Sequence, residues 1–312
     1  MQINVNKTHW MIFEQRSSKE TCALKMTFSS EELKRVENFK YLGVFFSGTV
    51  SFTDHVTYVL CKAEKAAFMF WKYTSRFISM KASLQLNLFN ALVTLILLYC
   101  AEIWFPCLSQ SDINHIERFF TKNLKKILGV PECTANAAVY FELRQKSIAA
   151  IMREDILEFI CKLKDDPTNW LLLQHLFTID CSWVNYCNSV LALCELNLVN
   201  LNPLVIPHAD LDAFFVDDLL LKISSMFSLK FLHTYKFDDG FVFHMDCIPN
   251  RRHRNALNKL RCGSCNLRNR SGSWTGEDRE ARFCRFCSSK CIEDEEHVLI
   301  DCNFLTMRDQ QH

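Results

Sequence analysis

The 312 residues are enough for two domains, and 49% hydrophobic with 23% charged residues is a globular composition, which excludes an intrinsically disordered chain. The net charge of +1 excludes a uniformly basic nucleic-acid-binding protein, so phosphate binding would have to come from local clusters of charge. There are 16 cysteines, but residues 1–6 lack the pattern of a signal peptide, which predicts reduced thiols and an intracellular protein, in the nucleus or cytoplasm. The ten cysteines from Cys22 to Cys247 are expected to be small buried hydrophobic residues.

The first 50 residues predict short β-strands. β-Prone runs at 12–13, 23–28 and 41–46 are separated by serine, glutamate and glycine residues, which favour turns. The sequence therefore predicts a short N-terminal β-hairpin ahead of a helical chain.

Apolar residues recur every three or four positions over residues 51–165, which indicates amphipathic helices. Asp54 can cap the first of these helices, and a second runs over residues 84–99. A third begins near Asp112 and is ended by Gly129 and the proline that follows. We expect these helices to pack as a bundle.

The most apolar run of the chain, residues 91–101, lies in the second helix. Thr94 interrupts it, and Asn90 and Glu102 flank it. A helix needs about 20 apolar residues to cross a bilayer, and this run is much shorter. We therefore expect a buried central helix and no membrane partner.

The third helix carries four basic side chains outside its apolar stripe. Such a face is commonly an ordinary solvated surface. It would equally suit a phosphate backbone, where lysine and arginine contacts release counterions without reading sequence. The pattern leaves both interpretations open for Arg118, Lys122, Lys125 and Lys126.

Residues 166–250 predict a helical connecting region. Within it, residues 215–218 have the F-x-D-D form of the carboxylate pair that binds two Mg²⁺ ions in nucleic-acid polymerases. The surrounding apolar residues follow a helical stripe, which leaves Asp217 and Asp218 on the solvent side of a helix. A polymerase site at these aspartates is therefore the less favoured alternative.

A basic stretch opens the last segment, residues 251–312. It has no acidic residue over its first twenty positions and is mixed with asparagines, a composition typical of a phosphate-binding surface. The basic residues are Arg251, Arg252, His253, Arg254, Lys259, Arg261, Arg268 and Arg270.

Four soft ligands near the C-terminus have the spacing of a zinc site, C-x2-C-x9-H-x4-C: Cys284, Cys287, His297 and Cys302. Apolar residues are sparse in this module, so Zn²⁺ would have to supply much of its folding free energy. Cys262 and Cys265 make a four-cysteine alternative with the same CxxC pair. The acidic run 293–296 favours a helix N-terminus, which would place His297 in the first turns.

Several segments carry motifs that are more specific than composition. Asn4, Lys7 and Thr8 stand at the spacing N-x2-K-T, and residues 39–44 read FKYLGV. The later segments are ILLYCAEIW at 96–104, ILGVP at 127–131, NALNKLRCG at 255–263 and the cysteine–histidine stretch at 284–302.

In this order the motifs resemble the C-terminal half of a non-LTR retrotransposon (LINE-type) reverse transcriptase. They are similar to the segment after its catalytic carboxylates, its primer-grip hairpin, its helical thumb and its C-terminal cysteine–histidine motif. The likeness is thin between about residues 165 and 245. It implies a mostly α fold with a short N-terminal β-hairpin, a helical thumb-like bundle and a small C-terminal zinc-binding module. The implied domains are 1–50, 51–165, 166–250 and 251–312.

The resemblance implies RNA or DNA, single-stranded or as template-primer, as the partner and Zn²⁺ as the cofactor. It makes Tyr41 and Gly43 candidate primer-end contacts and places Lys7 beside an incoming nucleotide. The polymerase aspartates of the family precede the matched segments, so we expect a catalytically inactive, nucleic-acid-binding remnant. A structural or protein-interaction zinc module and a part of a longer active enzyme are the alternatives. The resemblance also favours phosphate contacts by the basic face of the third helix and by Arg251, Arg252, Arg254, Lys259 and Arg261.

Overall fold

The computed structural model of the protein describes five stretches of the chain: residues 8–13, 24–28, 31–77, 79–193 and 246–303. Lys7, Asp217 and Asp218 lie outside the described residues, as does the helix expected at 211–232. The expectations for these positions therefore stay predictions.

Short strands form the N-terminal part of the described chain. They pair two by two, with β1 and β4 parallel and the pairs β2–β3 and β5–β6 antiparallel. The predicted hairpin is confirmed as β5–β6. The strands are β1 (His9–Trp10), β2 (Thr27–Phe28), β3 (Glu31–Glu32), β4 (Lys34–Arg35), β5 (Asn38–Tyr41) and β6 (Val44–Ser47).

Helices make up most of the rest, and the first and third predicted helices are confirmed as α1 and α5. The helices are α1 (Thr53–Thr74), α2 (Ala82–Phe89), α3 (Leu95–Leu98), α4 (Ala101–Trp104), α5 (Gln110–Leu128), α6 (Asn136–Leu143), α7 (Ile148–Asp165), α8 (Pro167–Leu176), α9 (Ser182–Leu193), α10 (Arg251–Arg261) and α11 (Arg268–Trp274). Wider π-helical turns cover Asn90–Thr94 and His297–Asp301, and 3₁₀ turns cover Phe105–Cys107 and Arg279–Ala281.

The second predicted helix is broken. Its segments α2 and α3 are joined by a π-helical turn, and Cys100, with φ of 53°, separates α3 from α4. Only one side of the apolar run is buried, through Val93, Leu97 and Ala101. The expectation of a buried central helix is confirmed for this side only, because Leu92, Leu95 and Tyr99 on the other side are exposed.

No single helix in the described part of the chain has both the length and the apolar composition needed to cross a bilayer. One pair, Ala82–Leu98 with Ala101–Cys107, meets these criteria when its two segments are taken together across a 41° bend.

The turn of the β5–β6 hairpin has two residues, Leu42 and Gly43, both with positive φ (45° and 94°). Such a turn matches the twist of the flanking strands and favours glycine. The Tyr99 hydroxyl donates to the Leu42 carbonyl oxygen at 2.9 Å. A Cβ atom on Gly43 would lie 2.9 Å from the Tyr99 ring, so both conformation and packing require glycine here.

The chain forms two compact units, each built from separated segments. The first comprises residues 1–69, 90–119 and 148–211. In its described part, Trp104 and Phe105 are fully buried, and the Trp183 indole N–H donates to the Glu102 carbonyl oxygen at 2.8 Å.

The domain boundaries predicted from the sequence at residues 50, 165 and 250 stay a prediction.

His55 is a titratable residue buried in the first unit. Its Nδ1 accepts a hydrogen bond of 3.2 Å from the Phe45 backbone N–H, and its ring meets Trp104 edge-on at 5.2 Å. Burial, and then the positive charge of Lys40, lower the pKa of His55 from 6.5 to about 4. The imidazole is therefore neutral in the folded protein at pH 7.

We expect acid to destabilise the protein through His55. Between pH 6.5 and 4 the unfolded chain binds a proton that the folded chain does not, so the free energy of unfolding falls as the pH falls through this window. The loss attributable to this residue is about 3 kcal/mol at most. Urea unfolding at pH 7.0, 5.5 and 4.5 measures it. The His55→Gln variant should lose this part of the pH dependence, and an unchanged dependence would contradict the assignment.

The second unit comprises residues 70–89, 120–147 and 212–312. Phe89 is fully buried and packs against Phe70 and Phe120, with ring centroids 5.6 and 6.0 Å away. The Trp71 indole N–H donates to Asn123 Oδ1 at 2.8 Å. These contacts join α2 to the last turns of α1 and the second half of α5.

Helix α10 packs in this unit against the end of α5. Asn258 Nδ2 donates to the Leu128 carbonyl oxygen at 2.7 Å. Gly129 ends α5 with φ of 75°, and a Cβ atom on it would lie only 2.1 Å from Asn255 Oδ1. Glycine therefore serves both the helix end and the close approach of α10.

The expectation that the ten cysteines before residue 250 are buried is corrected for most of those described. Cys161 and Cys187 are buried, and Cys100, Cys107 and Cys181 are half-buried. Cys61, Cys133 and Cys247 are exposed.

Candidate metal centre

Four side chains of the second unit converge in the C-terminal module: Cys284, Cys287, His297 and Cys302. One ligand atom from each lies within 4.8 Å of all the others. The two cysteine sulfurs of Cys284 and Cys302 are 3.9 Å apart, and Cys287 Sγ lies 3.2 Å from His297 Nε2. In the described residues this is the only group of three or more such ligands that close to one another.

The distances fit a small tetrahedral centre. Zn–S bonds of about 2.3 Å in a tetrahedron place two sulfurs about 3.8 Å apart, close to the separation of Cys284 and Cys302. Three thiolates and one imidazole are soft donors, unlike the oxygen ligands that Mg²⁺ and Ca²⁺ take. The cluster could therefore hold a metal ion, and its donor set is one that Zn²⁺ accepts.

A short antiparallel bridge between Phe283 and Ile292 carries the CxxC turn. Cys284 N donates to the Cys291 carbonyl oxygen at 2.8 Å, which closes the loop. Inside the loop, the Phe286 backbone N–H points at Cys284 Sγ at 3.4 Å. These backbone contacts help to fix the two thiols at one end of the site.

The two thiols of the CxxC turn differ in acidity. The Ser289 side chain, 3.0 Å from Cys287 Sγ, and the Ser289 backbone N–H lower the pKa of Cys287 to about 6. Burial raises the pKa of Cys284. The lowered pKa favours the thiolate form of Cys287 at neutral pH. A nearby cation would be needed to favour the thiolate form of Cys284.

The other two ligands come from the following turn. Asp294 Oδ1 accepts a hydrogen bond of 2.9 Å from the His297 backbone N–H, and so starts the turn that places His297 in its first positions, as predicted. Cys302 follows directly after that turn and is fully buried. Imidazole and thiol thus meet the CxxC pair from a separate turn of the chain.

Glu293 has a structural role in this module that the sequence analysis did not predict. It is fully buried, and its carboxylate accepts hydrogen bonds from Arg285 N, Nε and Nη2 at 2.8, 3.0 and 2.6 Å and from Arg268 N at 3.1 Å. Burial would raise the pKa of Glu293, but the Arg285 side chain and the two backbone N–H groups lower it. Because Arg285 lies within the CxxC turn, Glu293 holds that turn in place.

The four-cysteine alternative is not assembled. Cys262 is fully buried away from the cluster, and Cys265 Sγ lies 3.7 Å from Glu295 Oε1. Burial raises the pKa of both thiols, that of Cys265 to about 11. The structure therefore favours the three-cysteine, one-histidine set.

Three of the predicted phosphate-binding residues are buried and donate hydrogen bonds to protein acceptors. Arg254 donates to the carbonyl oxygens of Ile248 and Met80, both at 3.1 Å. Arg261 donates to the Glu142 carboxylate at 2.9 Å. Lys125 Nζ donates to the Glu132 carbonyl oxygen at 2.7 Å. Their charge is used within the fold.

Three other predicted residues come together at the surface of the second unit: Lys122, Lys126 and Arg251. The pKa of Lys126 is lowered, first by its partial burial and then by the positive charges of Arg251 and Lys122. Its ammonium lies 4.3 Å from the centre of the Trp71 ring. Lys122 also pairs with Glu132 at 3.2 Å, in an exposed position. We name these three side chains the basic cluster.

The other residues predicted to contact nucleic acid do not belong to the basic cluster. Tyr41 is 59% exposed beside the hairpin turn that contains Gly43. The exposed predicted basic residues outside the basic cluster are Arg118, Arg252 and Lys259.

Comparisons with protein-family models, with curated proteins and with solved structures find no match to this chain.

Proposed function

We propose that the protein is a nucleic-acid-binding, zinc-dependent remnant of a LINE-type reverse transcriptase, without polymerase activity of its own. RNA or DNA, single-stranded or as template-primer, is the partner. The order of the sequence motifs supports the family, and the donor set of three thiols and one imidazole supports zinc as the metal.

The basic cluster is the observation that carries the proposal. Lys122 and Lys126 come from α5 and Arg251 from α10, so charges far apart in sequence meet at one surface. Partial burial, and after it the positive charges of Arg251 and Lys122, lower the pKa of Lys126, and like charges held close together raise the free energy of the free protein. A phosphate backbone would remove this repulsion and release its own counterions.

The zinc module is connected to the basic cluster through helix α10. Helix α10 carries Arg251 at one end and leads at the other into the module, which begins after Arg261. The metal ligands would hold the module folded, because its own apolar core is small. We therefore expect the segment that follows α10 to be folded only when zinc is bound.

Binding of a labelled single-stranded RNA, measured by fluorescence anisotropy over a range of salt concentrations, tests this function. We expect the affinity to fall steeply with salt in the wild type. Each phosphate contact with a single strand contributes about 0.7 to the slope of log K against log salt. Replacing Lys122, Lys126 and Arg251 with methionine should therefore lower that slope by about 2 and weaken binding at low salt.

The Lys72→Met variant is the matched control, since Lys72 is an exposed lysine in the last turn of α1 and lies outside the basic cluster. It should bind RNA like the wild type. Binding by the wild type that is absent or independent of salt would overturn the proposal. A primer-extension assay with Mg²⁺ and deoxynucleotides is expected to show no product.

A structural or protein-interaction zinc module is the second candidate. The inward-facing arginines favour it, because Arg254 and Arg261 stabilise the fold and Arg282 donates to the carbonyl oxygens of Asn269 and Glu277. Under this alternative the triple methionine variant keeps its zinc and fold, and neither it nor the wild type binds RNA.

A further inference from the structure

A second group of cationic side chains lies in the first unit, outside the basic cluster. Lys40 is on strand β5, and Tyr58 and Lys62 are one turn apart on the first half of α1. The Lys40 ammonium donates to the Tyr58 hydroxyl. Lys62 Nζ lies 4.9 Å from the centre of the Tyr58 ring. Two ammonium groups from different elements therefore converge on one phenol.

Aromatic rings hold this group in place. The ring of Phe45, which pairs with Lys40 across the hairpin, meets the ring of Tyr58 edge-on at 4.8 Å. Lys40 Nζ lies 4.4 Å from the centre of the Tyr58 ring and 5.6 Å from that of Phe45. Cation–π attraction favours this placement of the ammonium, and the rings keep its stem from swinging freely into solvent.

No carboxylate of the described residues forms an ion pair with Lys40 or Lys62. Asp54, one turn before Tyr58, instead accepts a hydrogen bond from Asn38 Nδ2 at 3.5 Å. Lys40, followed by Lys62, lowers the pKa of the Tyr58 hydroxyl through hydrogen bonding. The three groups thus form a positive surface cluster of hydrogen-bond donors that has no carboxylate ion-pair partner among the described residues.

We propose that Lys40, Tyr58 and Lys62 bind a phosphoryl group. Each ammonium has further N–H donors, and the Tyr58 hydroxyl can turn its hydrogen toward an oxyanion placed between them. Charge-assisted hydrogen bonds of this kind are stronger than neutral ones. The site belongs to the first unit and shares no residue with the basic cluster, so it goes beyond the proposed function.

Isothermal titration of the full-length protein with inorganic phosphate, at constant ionic strength in chloride buffer, tests the site. We expect saturable binding in the millimolar range. Lys40→Met and Lys62→Met should each weaken it by about tenfold, and Tyr58→Phe by a smaller factor, because each removes a charge or a donor. The exposed Lys72→Met variant serves as the control for lost charge and should bind phosphate normally. Equal affinities in all variants, or no saturable heat, would overturn the proposal.

A second set of binding measurements identifies which kind of molecule carries the phosphoryl group. If Lys40→Met and Lys62→Met also weaken binding of single-stranded RNA, the site takes backbone phosphates. If only inorganic phosphate binding is lost, the ligand is a free phosphate or a small phosphorylated molecule. The triple methionine variant of the basic cluster should still bind inorganic phosphate, which separates a failure of this site from a failure of the proposed function.

Discussion

Replacing His297 with alanine is expected to release the zinc ion and to unfold the C-terminal module. The imidazole supplies one of four ligand atoms that lie within 4.8 Å of one another, and a structural zinc site requires all four. Binding of such an ion contributes on the order of 10 kcal/mol to folding, which the small core cannot replace. Phe283 and Phe286 illustrate this point, since both are 42% exposed. Metal analysis should show a fall from about one zinc per chain to almost none.

Two cysteines of the same module provide matched controls. Cys291 is exposed and Cys265 contacts Glu295, and neither belongs to the ligand group. Cys291→Ala and Cys265→Ala should therefore keep the zinc, and limited proteolysis should cut their modules as slowly as that of the wild type. A His297→Ala protein with full zinc content, or zinc lost only from Cys265→Ala, would show that the ligands have been misassigned.

The cluster of three cysteines and one histidine was predictable because its signal is local. A CxxC turn requires only adjacent backbone positions, and the histidine and last cysteine follow at a fixed spacing. Glu293 was not predictable in the same way. In sequence it is one of four acidic residues in a row, and only the fold turns this one inward to meet Arg285 and the Arg268 backbone. The next residue, Asp294, has the more general role of starting a turn.

Periodicity predicted α1 and α5 because one apolar stripe runs along each of them without interruption. It did not predict the break at Cys100, where the backbone has a positive φ of 53°. The burial predicted for the apolar run at 91–101 holds for only one of its two sides. Hydrophobicity alone does not say how many neighbours surround a helix, and Leu95 on its outer face remains 61% exposed.

Charge density was the least reliable signal in the basic stretch. It did not distinguish Arg251, at the surface beside Lys126, from Arg254, whose guanidinium reaches the carbonyl oxygens of Met80 and Ile248. The acceptors that decide the role of each arginine lie up to 174 positions away in the chain. Burial of an arginine depends on such distant partners, and composition contains no information about them.

Arg261→Met is expected to lower the free energy of unfolding by about 3–5 kcal/mol, because it would leave the Glu142 carboxylate buried without its cation. Glu142 is fully buried, and both Nε and Nη2 of Arg261 lie 2.9 Å from its Oε1. Urea denaturation at pH 7 measures the effect. The exposed Arg252, on the same helix, gives the control, and Arg252→Met should change stability by less than about 0.5 kcal/mol.

The double variant Glu142→Leu/Arg261→Met distinguishes the loss of a buried ion pair from the loss of packing. Removing both charges together avoids an uncompensated buried carboxylate, so the double variant should be more stable than Arg261→Met alone. If the two variants are equally unstable, the arginine contributes mainly through the packing of its side chain. If Arg261→Met instead folds as stably as the wild type, Arg261 is available at the surface after all, and its earlier interpretation as a phosphate contact would return.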